Sequence, residues 1–440
     1  MESSMAGRLV FHIGLEKTGT TSFQQFCYDH SDVLEEYGVF YPKLECLLYG
    51  NNHSILSASY LSPELWDYIG SDCQISREVS VKNLIKLINS KSNNESIIIS
   101  SEHFSSRFSE IEIKQLAKDF YHCFPTIMVF IRDHYSVVRA AYSTWVLSGS
   151  RGTIDDFISM LWDPNLLKPQ SPDVFYRYCR FEKMIEPWER VFGKDRVLIK
   201  AYDDANSSIN VMISEISNNK IDLSVSSHYR LNRTLEPYII CYLRQFNMLI
   251  PNWDELFSIG KTELWQRICQ IRNQFLLLIS EAPILKTSES MFTISPESND
   301  RLSQLAYADQ VWLGQRGIDF SSKFSHNILI GASSSAINDF DVIEFLNIEK
   351  MRGDIRAAAV LDSINELSKY RHQPATNKTQ QAEQQSRPDT GRVSWSRLPG
   401  IIHSIICSLV RGGGHMRPTA SSGRSRVRLA QGGDTNGPRQ

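Results

Sequence analysis

The residues best suited to chemistry cluster in "HIGLEKTGTTSFQQF", which begins at His12. Lys17 stands inside a loop bounded by Gly14 and Gly19, and the hydroxyl residues Thr20, Thr21 and Ser22 follow directly. The apolar run "RLVFHI" leads into this loop and a helical spacing leads out of it. Strand, glycine-rich turn and helix make a phosphate-binding geometry, because the turn amides and the helix N-terminus both point at an anion. The nucleotide-triphosphate signature GxxxxGK[ST] sets its lysine directly after the second glycine. Here Gly14 and Gly19 keep the signature's separation, but Thr20 occupies the lysine position. A lysine within the loop sits over the ligand, where it can neutralise charge on the bridging oxygen of a phospho-linked leaving group. No acidic magnesium ligand is evident in the sequence. The plain alternative is a solvated loop with capping threonines and a surface lysine.

"HIGLEKTGTTS" resembles the 5′-phosphosulfate loop of the sulfotransferases that use 3′-phosphoadenosine 5′-phosphosulfate (PAPS). These carry a P-loop variant with this internal lysine. The resemblance implies that Lys17, Thr18, Gly19, Thr20, Thr21 and Ser22 hold the donor's 5′-phosphosulfate. It also implies that Lys17 is catalytic, that PAP is the product and that no metal is required. The donor's 3′-phosphate needs a second cationic site. "VFIRDHYSVVRAAYSTW" is similar to the family's 3′-phosphate region, with Arg132 at a strand end, where α/β sheets bind ligands. The family has a serine eight residues after this arginine; here that position is Ala140. Ser136 and Ser143 lie one turn to either side. One of them substitutes, or the phosphate relies on Arg132 and Arg139. "SHYRLNRTLEP" resembles a later family loop that closes over the nucleotide, with Arg230, Asn232 and Arg233 as candidates. A polar loop capped by Thr234 explains that stretch as well.

Sulfuryl transfer shares the needs of phosphoryl transfer: in-line attack, a stabilised leaving oxygen and a proton to remove from the acceptor. A general base must reach that proton. Glu102 directly follows "IIISS", and "SSEHF" looks like a segment of the bacterial and carbohydrate-type branches, several of which use a carboxylate base. His103 is adjacent, and His53 in "GNNHSIL" is similar to an Asn-His element of the bacterial branch. For either histidine alone, a satisfied core or surface role is the simpler reading. The stretch "FYRYCRFEKMIEPWERVFGKDRVLIKAYDD" resembles one in which a helix ends at Phe-Gly before a late strand. Trp188, Phe192 and Gly193 are read there as packing residues.

These residues need a scaffold, and the patterning supplies one. "RLVFHI", "ESIIISSEH", "TIMVFIRD" and "DRVLIKAYDD" are apolar runs of strand length, with "VFYP" a short extended piece. Between them lie helical patterns: "TTSFQQFCYDHSDVLEEYG", ending at Gly38, "VSVKNLIKLINS", "EIEIKQLAKDFYHCF" and "YSVVRAAYSTWVLSG". Apolar strands interleaved with helices predict a parallel sheet covered on both faces. The expected fold is α/β, P-loop NTPase-like, with a central parallel sheet flanked by helices. The sulfotransferase domain is expected over 1–320, with a helical extension from about 229. Residues 321–370 read as one or two further helices and 371–440 as a disordered basic tail.

The bulk numbers restrict partners. The chain has 440 residues, is 42% hydrophobic and carries a formal charge of −2. That balance gives no whole-chain attraction to nucleic acid or membrane. The segment 371–440 holds 11 Lys+Arg against 3 Asp+Glu, so its "GRSRVRL" invites contact with an anionic surface. "LPGIIHSIICSLV" is shorter than the roughly 20 residues a bilayer requires. Eight cysteines without a CxxC pair and an N-terminus without a leader pattern point to a cytoplasmic protein with reduced thiols. The reaction expected is transfer of a sulfuryl group from PAPS to a hydroxyl or amine, on a carbohydrate, a glycosylated metabolite or another small molecule. The rivals are a P-loop kinase or nucleotide triphosphatase, and a catalytically degenerate PAP(S)-binding scaffold.

Overall fold

The structure, a computed structural model, describes residues 8–15, 17–66, 69, 75–92, 95–162, 179–202, 205–217, 235–282, 293–318, 329–330 and 342–371. Five strands form one sheet: β1 (Arg8–His12), β2 (Val39–Phe40), β3 (Ser96–Ser100), β4 (Thr126–Ile131) and β5 (Val197–Ala201). All pair in parallel, in the order β2-β3-β1-β4-β5. β1 is central, in register with β3 from Arg8↔Ser96 to His12↔Ser100 and with β4 from Val10↔Thr126 to His12↔Met128.

Alternation along the strands divides the core into two layers, as a sheet buried on both faces requires. Leu9, Phe11, Ile97, Ile99, Ile127 and Val129 face one layer. There they meet α6 (Glu110–Asp119), α7 (His134–Leu147) and α9 (Phe181–Phe192). Trp188 stacks beside Phe108 and Phe192 and meets Phe104 edge-on, as expected of a packing residue. Val10, Ile98, Met128 and Phe130 face the other layer, under Phe23 and Phe26 of α1 (Thr20–Asp29) and Ile209, Met212 and Ile213 of α10 (Ala205–Ile216).

The helix expected from Thr20 to Gly38 is two helices. α1 stops at Asp29, His30 takes φ −110° and ψ 19°, and α2 (Ser31–Glu36) restarts in a new direction. The break carries Leu34 into the same layer as Phe23. Three further helices flank the sheet: α3 (Ser54–Ala58), α4 (Arg77–Asn89) and α5 (His103–Ser106). α8 (Ile154–Trp162) follows α7.

The C-terminal region is helical: α11 (Pro237–Leu249), α12 (Trp253–Ser258), α13 (Trp265–Glu281) and α14 (Pro296–Gly314), with a minimal parallel pair of β6 (Thr293–Ile294) and β7 (Leu329–Ile330). The ambiguous stretch after 320 contains two helices, α15 (Val342–Met351) and α16 (Ile355–Leu367), the second capped by Asp354. Their Phe345, Leu346, Val360 and Ile364 join the same apolar layer as Phe246 and Phe275. Among the described residues no helix is long and apolar enough to cross a membrane. The tail segments "GIIHSIICSLV" and "GRSRVRL" lie outside the described residues.

Candidate anion-binding site at the carboxyl edge of the sheet

The loop after β1 leaves the central strand between the ends of β3 and β4. It is pinned at its base by Ile13, whose N–H donates to Met128 O at 3.0 Å. It then folds back on itself, with Thr18 donating both its N–H (3.3 Å) and its Oγ1–H (2.5 Å) to Leu15 O. Such a turn needs left-handed backbone, and it occurs at Gly14 (φ 50°), Lys17 (φ 69°) and Gly19 (φ 76°). A β-carbon on Gly14 would stand 2.5 Å from Thr20 Cγ2, and one on Gly19 would stand 2.7 Å from the Tyr202 ring. Both glycines are therefore required by space as well as by dihedral angle. Lys17 accepts this uncommon conformation without being glycine. It is half-buried in the turn.

Gly19 caps α1, so no side chain there occupies the first amides of the helix. Thr20, Thr21 and Ser22 form its first turn, whose amide end favours negative charge. Thr20 Oγ1–H donates to Glu102 Oε1 across the gap between the β1 and β3 loops. Ser105 Oγ–H donates to Gly14 O, which ties α5 to the same loop. Glu102 is thus brought directly beside the anion loop. Strand order explains this: β3 is far from β1 in the chain and adjacent to it in the sheet.

On the other side, Arg132 leaves the end of β4 and its Nη1–H donates to Lys17 O at 3.1 Å. Its guanidinium lies 5.3 Å from the centre of the Tyr202 ring. Tyr202 itself is fixed by its N–H to Ile131 O at 2.7 Å. Sequence reasoning passed over Tyr202, although its place after the last strand of the sheet was a usable signal. Arg139 lies two turns into α7. Burial lowers its guanidinium below the ordinary arginine value; Glu236 acts against that shift, and the nearby charge of Arg132 adds to it. The charge of Arg132 thus reaches Arg139. Asp133 starts α7 by accepting from Ser136 N–H at 2.8 Å.

The remaining candidates separate. Ser143 is buried and its Oγ–H donates to Arg139 O at 2.8 Å, so its hydroxyl proton serves its own helix. Ala140 is likewise buried, while Ser136 is half-buried one turn from Arg132 and Arg139. His53 is fully buried, and its ring is committed at both nitrogens. Ser100 N–H donates to Nδ1 at 3.0 Å and Nε2 bonds Pro42 O at 3.0 Å. Its own N–H donates to Ser100 O at 2.8 Å, so His53 continues the sheet where β2 ends. Burial, outweighing those two backbone contacts, lowers its pKa to about 4. A base needs an available lone pair, and both ring nitrogens of His53 are engaged. His103 is buried within a polar cluster in which Ser57 Oγ lies 3.4 Å from Nδ1 and 2.8 Å from Ser101 Oγ. Arg230, with Asn232 and Arg233, lies outside the described residues.

No protein-family model matches this chain. No curated protein matches it. Among solved structures it is similar to a sulfotransferase from Alicyclobacillus acidocaldarius, at 11% identity and a TM-score of 0.32, over 51% of this chain and 89% of that one. At that score the likeness carries no argument, so the functional reading rests on the loop and its surroundings.

Proposed function

We propose that this protein is a PAPS-dependent sulfotransferase acting on a hydroxyl or amine, with a carbohydrate or glycosylated small molecule as acceptor. The observation that carries the reading is the junction of two cationic positions. Lys17 stands inside the anion loop, and Arg132 bonds that residue's carbonyl from the neighbouring strand end. A donor with phosphate at both its 5′ and 3′ positions suits such a pair. The loop also fits the group physically: glycine at the helix cap leaves the first amides of α1 without a side-chain cap. The internal position of Lys17 and the resemblance of "HIGLEKTGTTS" to the phosphosulfate loop support the choice of donor.

When bound, PAPS supplies an activated sulfuryl group: its sulfur bonds to the acceptor while the 5′-phosphate oxygen keeps the electron pair and departs as PAP. The residues of this chain do the rest. The amides of Gly19 through Ser22 and the hydroxyls of Thr21 and Ser22 hold the 5′ end. Lys17 neutralises charge on the leaving oxygen. Arg132 and Arg139, with Ser136 beside them, hold the 3′-phosphate. Glu102 accepts the proton of the acceptor, and Thr20 Oγ–H orients its carboxylate.

One observation favours the rival reading of a nucleotide triphosphatase: Glu102 stands beside the loop, as a magnesium-binding acid would. Titration calorimetry with and without magnesium separates the two. PAP binding that ignores magnesium supports the sulfotransferase; ATP binding that requires magnesium, with no affinity for PAP, overturns it. Transfer of 35S from labelled PAPS to a panel of sugars then separates an enzyme from a donor-binding scaffold.

A further inference from the structure

The Arg132–Arg139 face proposed above as the 3′-phosphate anchor is held from outside the sheet. His134 follows Arg132 by two residues, is fully buried, and bonds Asp309 Oδ2 of α14 through Nε2 at 2.9 Å. Asp309 is itself buried and accepts two more bonds, from Phe181 N–H at 2.8 Å and Glu182 N–H at 3.2 Å. Those amides open α9, so one carboxylate joins the first turns of two helices, where negative charge is favoured. The His134 ring also rests on Phe181, with 4.6 Å between centroids. The next residue repeats the connection. Tyr135 O–H donates to Asn299 Oδ1 at 2.9 Å, and its oxygen lies 2.9 Å from Ser303 Oγ, both on α14.

We propose that α14 is the positioning element of the second anion site: Asp309 through His134, and Asn299 with Ser303 through Tyr135, fix the first turn of α7. That turn sets the direction in which Arg132 leaves β4 and Arg139 leaves α7. The inference rests on the reading of this face as the 3′-phosphate anchor. The geometry suits the task, because the His134 contact is buried, the Tyr135 contacts are partly buried, and all have near-ideal length and fall on consecutive residues. Rotation of the turn would break both at once. A shift of 1 Å in a charged contact is enough to change recognition strongly.

Paired calorimetric titrations with PAP and with adenosine 5′-phosphate test this, since the two differ only in the 3′-phosphate. The unmodified protein is expected to prefer PAP. Failure of that preference would sink the reading of the anchor itself, separately from the role of α14. His134→Phe keeps the ring on Phe181 and removes the bond to Asp309. It is expected to weaken PAP about tenfold and leave adenosine 5′-phosphate within twofold. His134→Gln, whose amide N–H reaches toward Asp309, is expected to restore most of the difference. Tyr135→Phe removes a single hydroxyl and is milder on folding; a loss of about threefold in PAP preference is expected. Equal weakening of both nucleotides, or an unchanged ratio in folded His134→Phe and Tyr135→Phe, overturns the proposal.

Discussion

At the scale of single residues, the proposed function gives Lys17 and Glu102 separable roles. Lys17→Ala is expected to lower kcat by about 10²–10³-fold, as removal of one preorganised charge-stabilising donor does. Glu102→Gln is expected to lower kcat by about 10²–10⁴-fold, the usual contribution of a general base, while PAP affinity stays within a few fold. Radiolabelled transfer assays beside calorimetry read both; equal loss of PAP affinity and turnover in Glu102→Gln would remove its role as base. The buried histidines make a different statement, about stability. Burial lowers His12 to about 3 and, with two backbone contacts opposing, lowers His53 to about 4. Above pH 6.5 both are neutral whether folded or unfolded. As pH falls from about 6.5 toward 4, the unfolded chain binds protons that the folded chain refuses, so stability falls with pH. For His53 the loss is on the order of 3 kcal/mol, at about 1.4 kcal/mol per unit. Urea unfolding between pH 7 and 4 checks this, and His53→Gln is expected to flatten the slope.

At the scale of elements, the two ends of α7 are held by different means. Its start is tied to α14, and its end to α11 and α13. Asn247 on α11 is buried and donates to Val146 O at 2.8 Å and Ser150 O at 2.9 Å. Its Oδ1 accepts from Arg272 Nε–H at 3.0 Å. Arg151, just beyond, donates to Asn247 O at 2.8 Å and holds Glu255 through both terminal nitrogens, at 3.0 and 2.7 Å. A buried guanidinium at the end of a helix also meets the negative end of its dipole. Asn247→Leu would orphan Ser150 O and Arg272 Nε–H, while Val146 O keeps the Gly149 N–H. A cost of about 3–5 kcal/mol is expected, at ~1–3 per orphaned group. Denaturant titration reads it; a loss below 1 kcal/mol would show that solvent takes over these contacts.

At the scale of the molecule, the sheet and the helical region share one apolar layer. Phe11 and Val129 belong to it, and so do Phe246, Leu302 and Leu361. The C-terminal helices are therefore expected to fold with the sheet and not apart from it. A chain ending at Arg371 retains every described element and is expected to keep its melting midpoint and PAP affinity. A chain ending at Ala282 loses α14, α15 and α16 and is expected to fail to melt cooperatively. Calorimetric scans compare the two; a fully cooperative transition in the shorter chain would refute the shared core.

The strand–loop–helix unit at Lys17 was legible in the sequence because every part of it is local: an apolar run, two glycines at fixed separation and a helical spacing. The parallel sheet was legible for the same reason, since strands buried on both faces are apolar throughout. The break at His30 was not, because an apolar spacing does not reveal a change in helix direction. Side-chain commitments were not legible either. His53, Ser143 and Glu102 all looked available from their residue types, yet one replaces a sheet neighbour, one bonds its own helix and one meets the anion loop. Local spacing by itself determined the strand–loop–helix unit and the layered α/β fold. Only the tertiary structure decided which distant residues face that loop. It put β3 and β4 on either side of β1 and set α14 against the start of α7, through contacts between residues remote in the chain.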